Sequence, residues 1–78
     1  MIIENKYNTY EIENLTFHFD EDYYYPSVSF NFRVIHSYEY LYKTYFEDIT
    51  ITIEPNLPYT MVLKEILKKC EEIIETLD

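Results

Sequence analysis

The amino-acid sequence predicts an α+β fold, in which three antiparallel strands form a meander and one C-terminal amphipathic helix packs on one face of the sheet (βββα). Two observations predict it. Apolar and polar residues alternate along three segments, and apolar residues recur at helical spacing over residues 58–78. The chain has 78 residues, a length suited to one core, so we expect residues 1–78 to form a single α+β domain.

The C-terminal segment has the pattern of a helix that begins at Pro58. Proline suits the first helical position because its missing N–H would have no partner there. Asn56, just upstream, is a candidate cap for the helix start. One predicted face is apolar and the other carries lysine and glutamate, so we expect the apolar stripe to pack on the sheet. The stripe comprises Tyr59, Val62, Leu63, Ile66, Leu67, Cys70, Ile73, Ile74 and Leu77.

The three alternating segments have the period of strands with one buried face. An antiparallel register that brings inward residues together places Phe17 opposite Phe30, and Phe32 opposite Ile49. The predicted inward residues are Leu15, Phe17 and Phe19, then Val28, Phe30, Phe32 and Val34, then Ile49, Ile51 and Ile53.

The residues before the first predicted strand have the opposite phase. Tyr10 and Ile12 are out of step with Leu15, so one continuous strand would turn them to the other face. A β-bulge near Glu13–Asn14 would reconcile the two sets. A short extra N-terminal strand is the alternative.

The charge of the chain indicates its class of partner. Fifteen acids against six bases give a net charge of −9. Such a field repels nucleic acid and anionic membranes and attracts basic surfaces. We therefore expect a basic protein surface as the partner, with no direct nucleic-acid or membrane binding. A single cysteine and an N-terminus without the pattern of a signal peptide predict a cytoplasmic protein.

No residue pattern indicates an enzyme, a cofactor or a metal site. The chain has no glycine, which glycine-rich phosphate loops require. His18, His36 and Cys70 lack the spacing of metal ligands, and Cys70 lies on the predicted buried stripe of the helix. We found no set of nucleophile, base and orienting residue. The sequence thus predicts a binding protein with no catalytic residues, no cofactor and no metal.

Two segments combine acids with tyrosines: "DEDYYYPS" (residues 20–27) and "HSYEYLYKTYFED" (residues 36–48). Tyrosine offers a large, rigid contact area with a polar tip, and carboxylates attract lysine and arginine of a partner. The alternative is that these rings cover the edges of the core, which the strand phase allows for Tyr38, Tyr40 and Tyr45. Neighbouring strand residues alternate faces, so at least one of three adjacent tyrosines should be exposed. The predicted partner-binding residues are Asp20, Glu21, Asp22, Tyr23, Tyr24, Tyr25, Glu39, Tyr40, Tyr42, Glu47 and Asp48.

The predicted helix ends in acids, namely Glu71, Glu72, Glu75 and Asp78. The C-terminus is the negative end of the helix macrodipole, where bases would be more favourable. A basic partner would explain this arrangement, and so would a simple need for solubility.

With the segments "DEDYYY", "YEYLYKTYFED" and "EEIIETLD", the chain resembles the small acidic inhibitor proteins of phages and mobile elements, those of the anti-CRISPR type in particular. The resemblance is one of size and charge. It implies a non-enzymatic inhibitor that blocks the basic nucleic-acid-binding surface of a defence nuclease, such as a CRISPR effector, with nucleic-acid mimicry as one mode. A phage-encoded protein of this kind would act in the host-cell cytoplasm. The alternative is a self-associating structural or regulatory subunit, or an antitoxin-like protein that neutralises a basic partner, as a monomer or a homodimer.

Overall fold

The computed structural model of the protein describes residues 1–19 and 25–77, which form an antiparallel sheet with one helix on one of its faces. The α+β class and the C-terminal helix agree with the prediction. The short N-terminal strand is present and brings the sheet to four strands. In spatial and sequence order they are β1 (Ile2–Glu4), β2 (Asn8–His18), β3 (Ser27–Ser37) and β4 (Tyr45–Thr52), and they are followed by α1 (Tyr59–Glu75).

Strand β2 contains a bulge at the predicted position. Its pairing with β3 shifts just after Glu13, and Asn14 adopts a positive φ of 54°. An extra residue reverses the alternation of side chains, so residues on both sides of it can share one face. Tyr10 and Ile12 are accordingly buried, and Leu15 packs against the same core.

Both predicted strand registers are wrong by two residues. Phe17 lies opposite Val28 rather than Phe30, and Ile49 lies opposite Phe30 rather than Phe32. A slip of two residues leaves every side chain on its own face. The alternation pattern therefore predicts the face but cannot distinguish these registers.

A second irregularity, in β4, was not predicted. Asp48 has a positive φ of 57°, and the pairing with β3 shifts beside it. The shift turns Phe46 into the core opposite Phe32, whereas Tyr45 turns to the other face. The ring of Tyr45 lies 5.1 Å from the guanidinium carbon of Arg33. The expectation that Tyr45 shares the inward phase of the β4 isoleucines is therefore wrong.

The predicted burial of Phe17 and Phe19 is also wrong. Phe19 is 78% exposed, and Phe17 is exposed as well. Within residues 1–19 and 25–77, strand β1 pairs with Thr9–Glu11 alone, so the later half of β2 has no described strand on that side. Phe19 follows His18, the last residue of β2, and lies outside the described strands.

Helix α1 lies across the inner face of the sheet and contacts both edge strands, β1 and β4. It begins one residue after the predicted start, with Pro58 as the N-cap and no capping bond from a described side chain, Asn56 included. Tyr59, the first residue of α1, and Leu77, two residues beyond its end, are exposed, so the prediction that the stripe packs on the sheet is wrong for these two residues. The described part of the chain contains no helical segment with the length and hydrophobicity of a membrane span. The buried core consists of Tyr10, Ile12, Val28, Phe30, Phe32, Val34, Phe46, Ile53, Val62, Ile66 and Cys70.

Candidate functional site

The turn that joins β3 to β4 carries three highly exposed tyrosines; we call residues 38–44 the tyrosine turn. Tyr38 is 82% exposed, Tyr40 86% and Tyr42 96%. The rings of Tyr40 and Tyr42 contact each other edge to face, with centroids 5.6 Å apart. The alternative interpretation, in which Tyr38 and Tyr40 cover the core edge, is therefore wrong. These rings expose apolar area and hydroxyl groups at the surface.

Local hydrogen bonds shape the tyrosine turn and fix it to the turn between β1 and β2. The Ser37 hydroxyl accepts a bond from the Glu39 N–H (3.1 Å) and donates to the Glu39 carbonyl oxygen. The Tyr38 N–H donates to the Tyr7 carbonyl oxygen (2.9 Å), and the rings of these two tyrosines meet edge to face at 6.2 Å. The two turns thus form one continuous end of the molecule.

A cleft of about 360 Å³ lies between the tyrosine turn, the β1–β2 turn and the end of α1. Strand and helix patterns do not predict it, because its walls come from three segments far apart in sequence. The acids at the end of α1 are the sequence signal that points to this region. None of the residues that line the cleft is basic. The lining combines three carboxylates, of Glu39, Glu71 and Glu75, with three aliphatic side chains, of Leu41, Ile74 and Leu77.

Tyr10 reaches this cleft from β2 and is fully buried. Its Oη accepts hydrogen bonds from the side-chain amides of Asn8 (3.1 Å) and Asn5 (3.5 Å). Desolvation by burial raises the pKa of Tyr10, and the two asparagine bonds oppose this only in part. The phenol therefore stays neutral, and the charge in the cleft is carried by its glutamates.

The end of α1 adds negative potential to one wall of the cleft. Its last turn contains no basic residue, so the macrodipole there is not offset by a cation. A carboxylate oxygen of Glu72 lies 3.9 Å from the Lys69 ammonium nitrogen, and this is the one ion pair formed within residues 1–19 and 25–77. Glu71 and Glu75 are therefore available to an external cation. Asp78 lies outside the described residues.

The predicted partner-binding residues that the structure describes do not form one patch. Tyr25, which precedes β3, is 51% exposed, so the expected exposed ring exists in the first tyrosine run. The eleven residues of β3 separate Tyr25 from Tyr38 by roughly 35 Å at the rise of an extended strand. Glu39, Tyr40 and Tyr42 lie together at the cleft end. Asp20, Glu21, Asp22, Tyr23 and Tyr24 lie outside the described residues.

The acids predicted at positions 47 and 48 lie on the edge strand β4. Both Glu47 and Asp48 are exposed. The Asp48 N–H donates to the side-chain oxygen of Asn31 (3.0 Å), which ties the irregular part of β4 to β3. Asp48 is on the edge strand, and its charge adds to the negative field there.

Cys70 and His18, the other side chains considered for chemistry, are held by packing and by a hydrogen bond within the fold. Cys70 is buried on the helix stripe as predicted, and desolvation raises the pKa of its thiol to about 12. His18 lies at the exposed end of β2, with its Nε2 2.7 Å from the Ser29 hydroxyl. Among the residues that the structure describes, no three His, Cys, Asp or Glu side chains are grouped as they would be around a metal ion.

Comparisons of the chain with protein-family models, curated proteins and solved structures find no match. The exposed tyrosines and the acidic cleft have therefore to be interpreted from their own chemistry.

Proposed function

We propose that the protein is a non-enzymatic inhibitor that binds the basic, nucleic-acid-binding surface of a defence nuclease, as anti-CRISPR proteins do. One observation carries the proposal: Tyr40 and Tyr42 stand exposed side by side, next to Glu39, on a molecule of net charge −9. Exposed tyrosines anchor protein interfaces, and carboxylates beside them select lysine and arginine.

The negative field of the molecule supports the choice of partner. A channel that binds nucleic acid is lined with lysine and arginine, so an acidic protein is attracted to it over several ångströms. The exposed carboxylates Glu39, Glu47 and Asp48 take the place of phosphates in such a contact. A phage-encoded protein would meet this target in the cytoplasm of the host cell.

Binding to a panel of nucleases tests the proposal. Purified protein is titrated against CRISPR effectors and other nucleases, with and without guide RNA, at low and at high salt. We expect one target to bind, nucleic acid to compete, and affinity to fall at least about tenfold near 1 M salt, where screening shortens to about 3 Å. Failure to bind any of these nucleases, or binding that salt leaves unchanged, overturns the proposal.

Variants of the tyrosine turn locate the contact. The double change Tyr40→Ala and Tyr42→Ala should weaken the nuclease complex by about thirtyfold or more, as the loss of anchor residues does. Tyr59→Ala is the matched control, because Tyr59 is an exposed tyrosine at the start of α1, outside the tyrosine turn. Equal losses in the two variants would contradict this location of the contact.

One observation favours the second candidate, a self-associating or antitoxin-like protein. Strand β4 is an eight-residue edge of the sheet and can pair with another chain. The bulge at Asp48 and the exposed Glu47 oppose pairing between two copies, because acids would face acids. Light scattering on a sizing column separates the two candidates, because a stable dimer would favour self-association.

A further inference from the structure

The cleft beside the tyrosine turn has the layout of a pocket for one side chain. Its volume, about 360 Å³, lies in the range of small ligand sites and is ample for a single long residue. Its walls are aliphatic at Leu41, Ile74 and Leu77. Its carboxylates come from two different elements, with Glu39 in the tyrosine turn and Glu71 and Glu75 on α1.

The charges in the cleft favour a positively charged occupant. Three glutamates and the carbonyl end of α1 converge there, and no lysine or arginine contributes to the lining. Glu72, on the same turn of the helix, has Lys69 as its partner, whereas Glu71 and Glu75 have none among the described residues. A cation that enters the cleft therefore meets carboxylates that are not already neutralised.

The apolar walls favour an occupant with a long aliphatic stem. Leu41, Ile74 and Leu77 can cover methylene groups, while the charged head reaches the glutamates. Tyr40 stands between Glu39 and Leu41, which both line the cleft, and its ring is exposed. A partner that rests on the tyrosine turn thus has one of its side chains directed at the cleft.

We infer that this cleft receives an arginine side chain of the basic partner. The inference rests on the proposed function, because it takes the partner to be a basic protein surface. Arginine is favoured over lysine because its planar guanidinium has five N–H donors, enough to bond Glu39, Glu71 and Glu75 together. The three donors of a lysine ammonium diverge from a single atom and match fewer of these carboxylates at once.

Peptide binding in the absence of a nuclease tests the cleft directly. The probe is a short peptide, acetylated and amidated, with one arginine between small neutral residues. Matched peptides carry lysine, or citrulline, which has the shape of arginine without its charge. NMR should show shifts confined to Leu41, Ile74, Leu77 and Tyr7, with a millimolar dissociation constant for arginine, weaker binding for lysine and none for citrulline. Shifts spread over the surface, or equal binding of citrulline, overturn the inference.

Isosteric variants identify the carboxylates. The double change Glu71→Gln and Glu75→Gln keeps the side-chain volume, and we expect about tenfold weaker binding of the arginine peptide. Glu54→Gln is the control, since Glu54 is an exposed acid outside the cleft. Thermal unfolding of each variant verifies the fold. Unchanged peptide affinity in the double variant contradicts the assigned role of these carboxylates.

The two proposals can fail separately. If a nuclease binds through Tyr40 and Tyr42, and its affinity is unchanged by Glu71→Gln and Glu75→Gln, the proposed function stands and the arginine pocket is wrong. Conversely, if the peptide binds in the cleft and no nuclease binds, the pocket for arginine stands and the choice of nuclease as the partner is wrong.

Discussion

Phe46 stacks on Phe32 in the centre of the core, with ring centroids 4.7 Å apart and 15° between the ring planes. Tyr10 meets the same Phe32 ring edge to face at 5.8 Å. One aromatic cluster thus joins three strands, β2, β3 and β4. We expect Phe32→Ala to lower the free energy of unfolding by about 3–5 kcal/mol, a large part of the stability of a domain of this size, and urea denaturation measures it.

Phe19 provides the matched control for Phe32. Both are phenylalanines at positions with the inward phase of their segments, yet Phe19 is largely exposed. Phe19→Ala should change the free energy of unfolding by no more than about 0.5 kcal/mol. Comparable losses in the two variants would show that Phe19 packs against the core.

Cys70 should make the fold sensitive to alkaline pH. Burial raises the pKa of its thiol from 9.0 to about 12, so above pH 9 the unfolded chain loses this proton while the folded chain keeps it. Stability from the neutral thiol is complete below pH 9 and is lost as pH rises toward 12, by up to about 1.4 kcal/mol per pH unit. Urea midpoints between pH 8 and 10.5 measure the effect.

Cys70→Ala isolates this contribution. The variant is expected to be less stable at pH 7, because it leaves a small cavity, but its stability should decline less with pH. Between pH 9 and 10.5 the difference in decline should be about 1.6 kcal/mol. The pKa of Tyr10 is raised mainly by burial and to a lesser extent by Cys70, so most of the contribution of Tyr10 is common to both proteins. Parallel pH profiles would refute a buried, protonated thiol.

The bulge in β2 predicts an unusual tolerance of glycine. Asn14 holds a positive φ of 54°, which costs glycine nothing and β-branched residues most. Asn14→Gly should change the free energy of unfolding by less than about 0.5 kcal/mol, whereas Asn14→Val should cost about 1–2 kcal/mol. Glu11→Gly, at a regular position of the same strand, should cost about 0.5–1 kcal/mol. An equal cost of glycine at both sites would argue against the bulge.

Chemical modification should separate the tyrosines by exposure. Tetranitromethane reacts with accessible phenolates, so Tyr38, Tyr40 and Tyr42 should be nitrated early in the folded protein. Tyr10 should remain unmodified until the protein unfolds, because it is fully buried and its pKa is raised. Peptide mass spectrometry after brief treatment locates the nitro groups. Early nitration of Tyr10, with Tyr42 protected, would contradict the arrangement of this end of the molecule.

The sequence determines the elements that depend on local spacing. The helix stripe that contains Cys70 follows from helical spacing, and the inward phase of Phe30 and Phe32 follows from the alternation of apolar residues. The change of phase between Ile12 and Leu15 indicates either a bulge near Asn14 or a short extra strand. The net charge and the acids at the helix end are equally properties of the chain alone. These features are predictable because they arise from contacts between near neighbours and from the burial of one face.

Only the tertiary structure decided the strand registers and the surface that the turns create. A two-residue slip preserves every buried face, so the pairing of Ile49 with Phe30 depends on how whole strands pack. The bulge at Asp48 places Phe46 rather than Tyr45 in the core, and it likewise appears only when β4 is placed beside β3. The cleft has the same origin. Glu39 and Glu75 line one cleft because antiparallel strands return to one end of the sheet and α1 ends there. Residues brought together over such a distance in the chain leave no periodic pattern in the sequence.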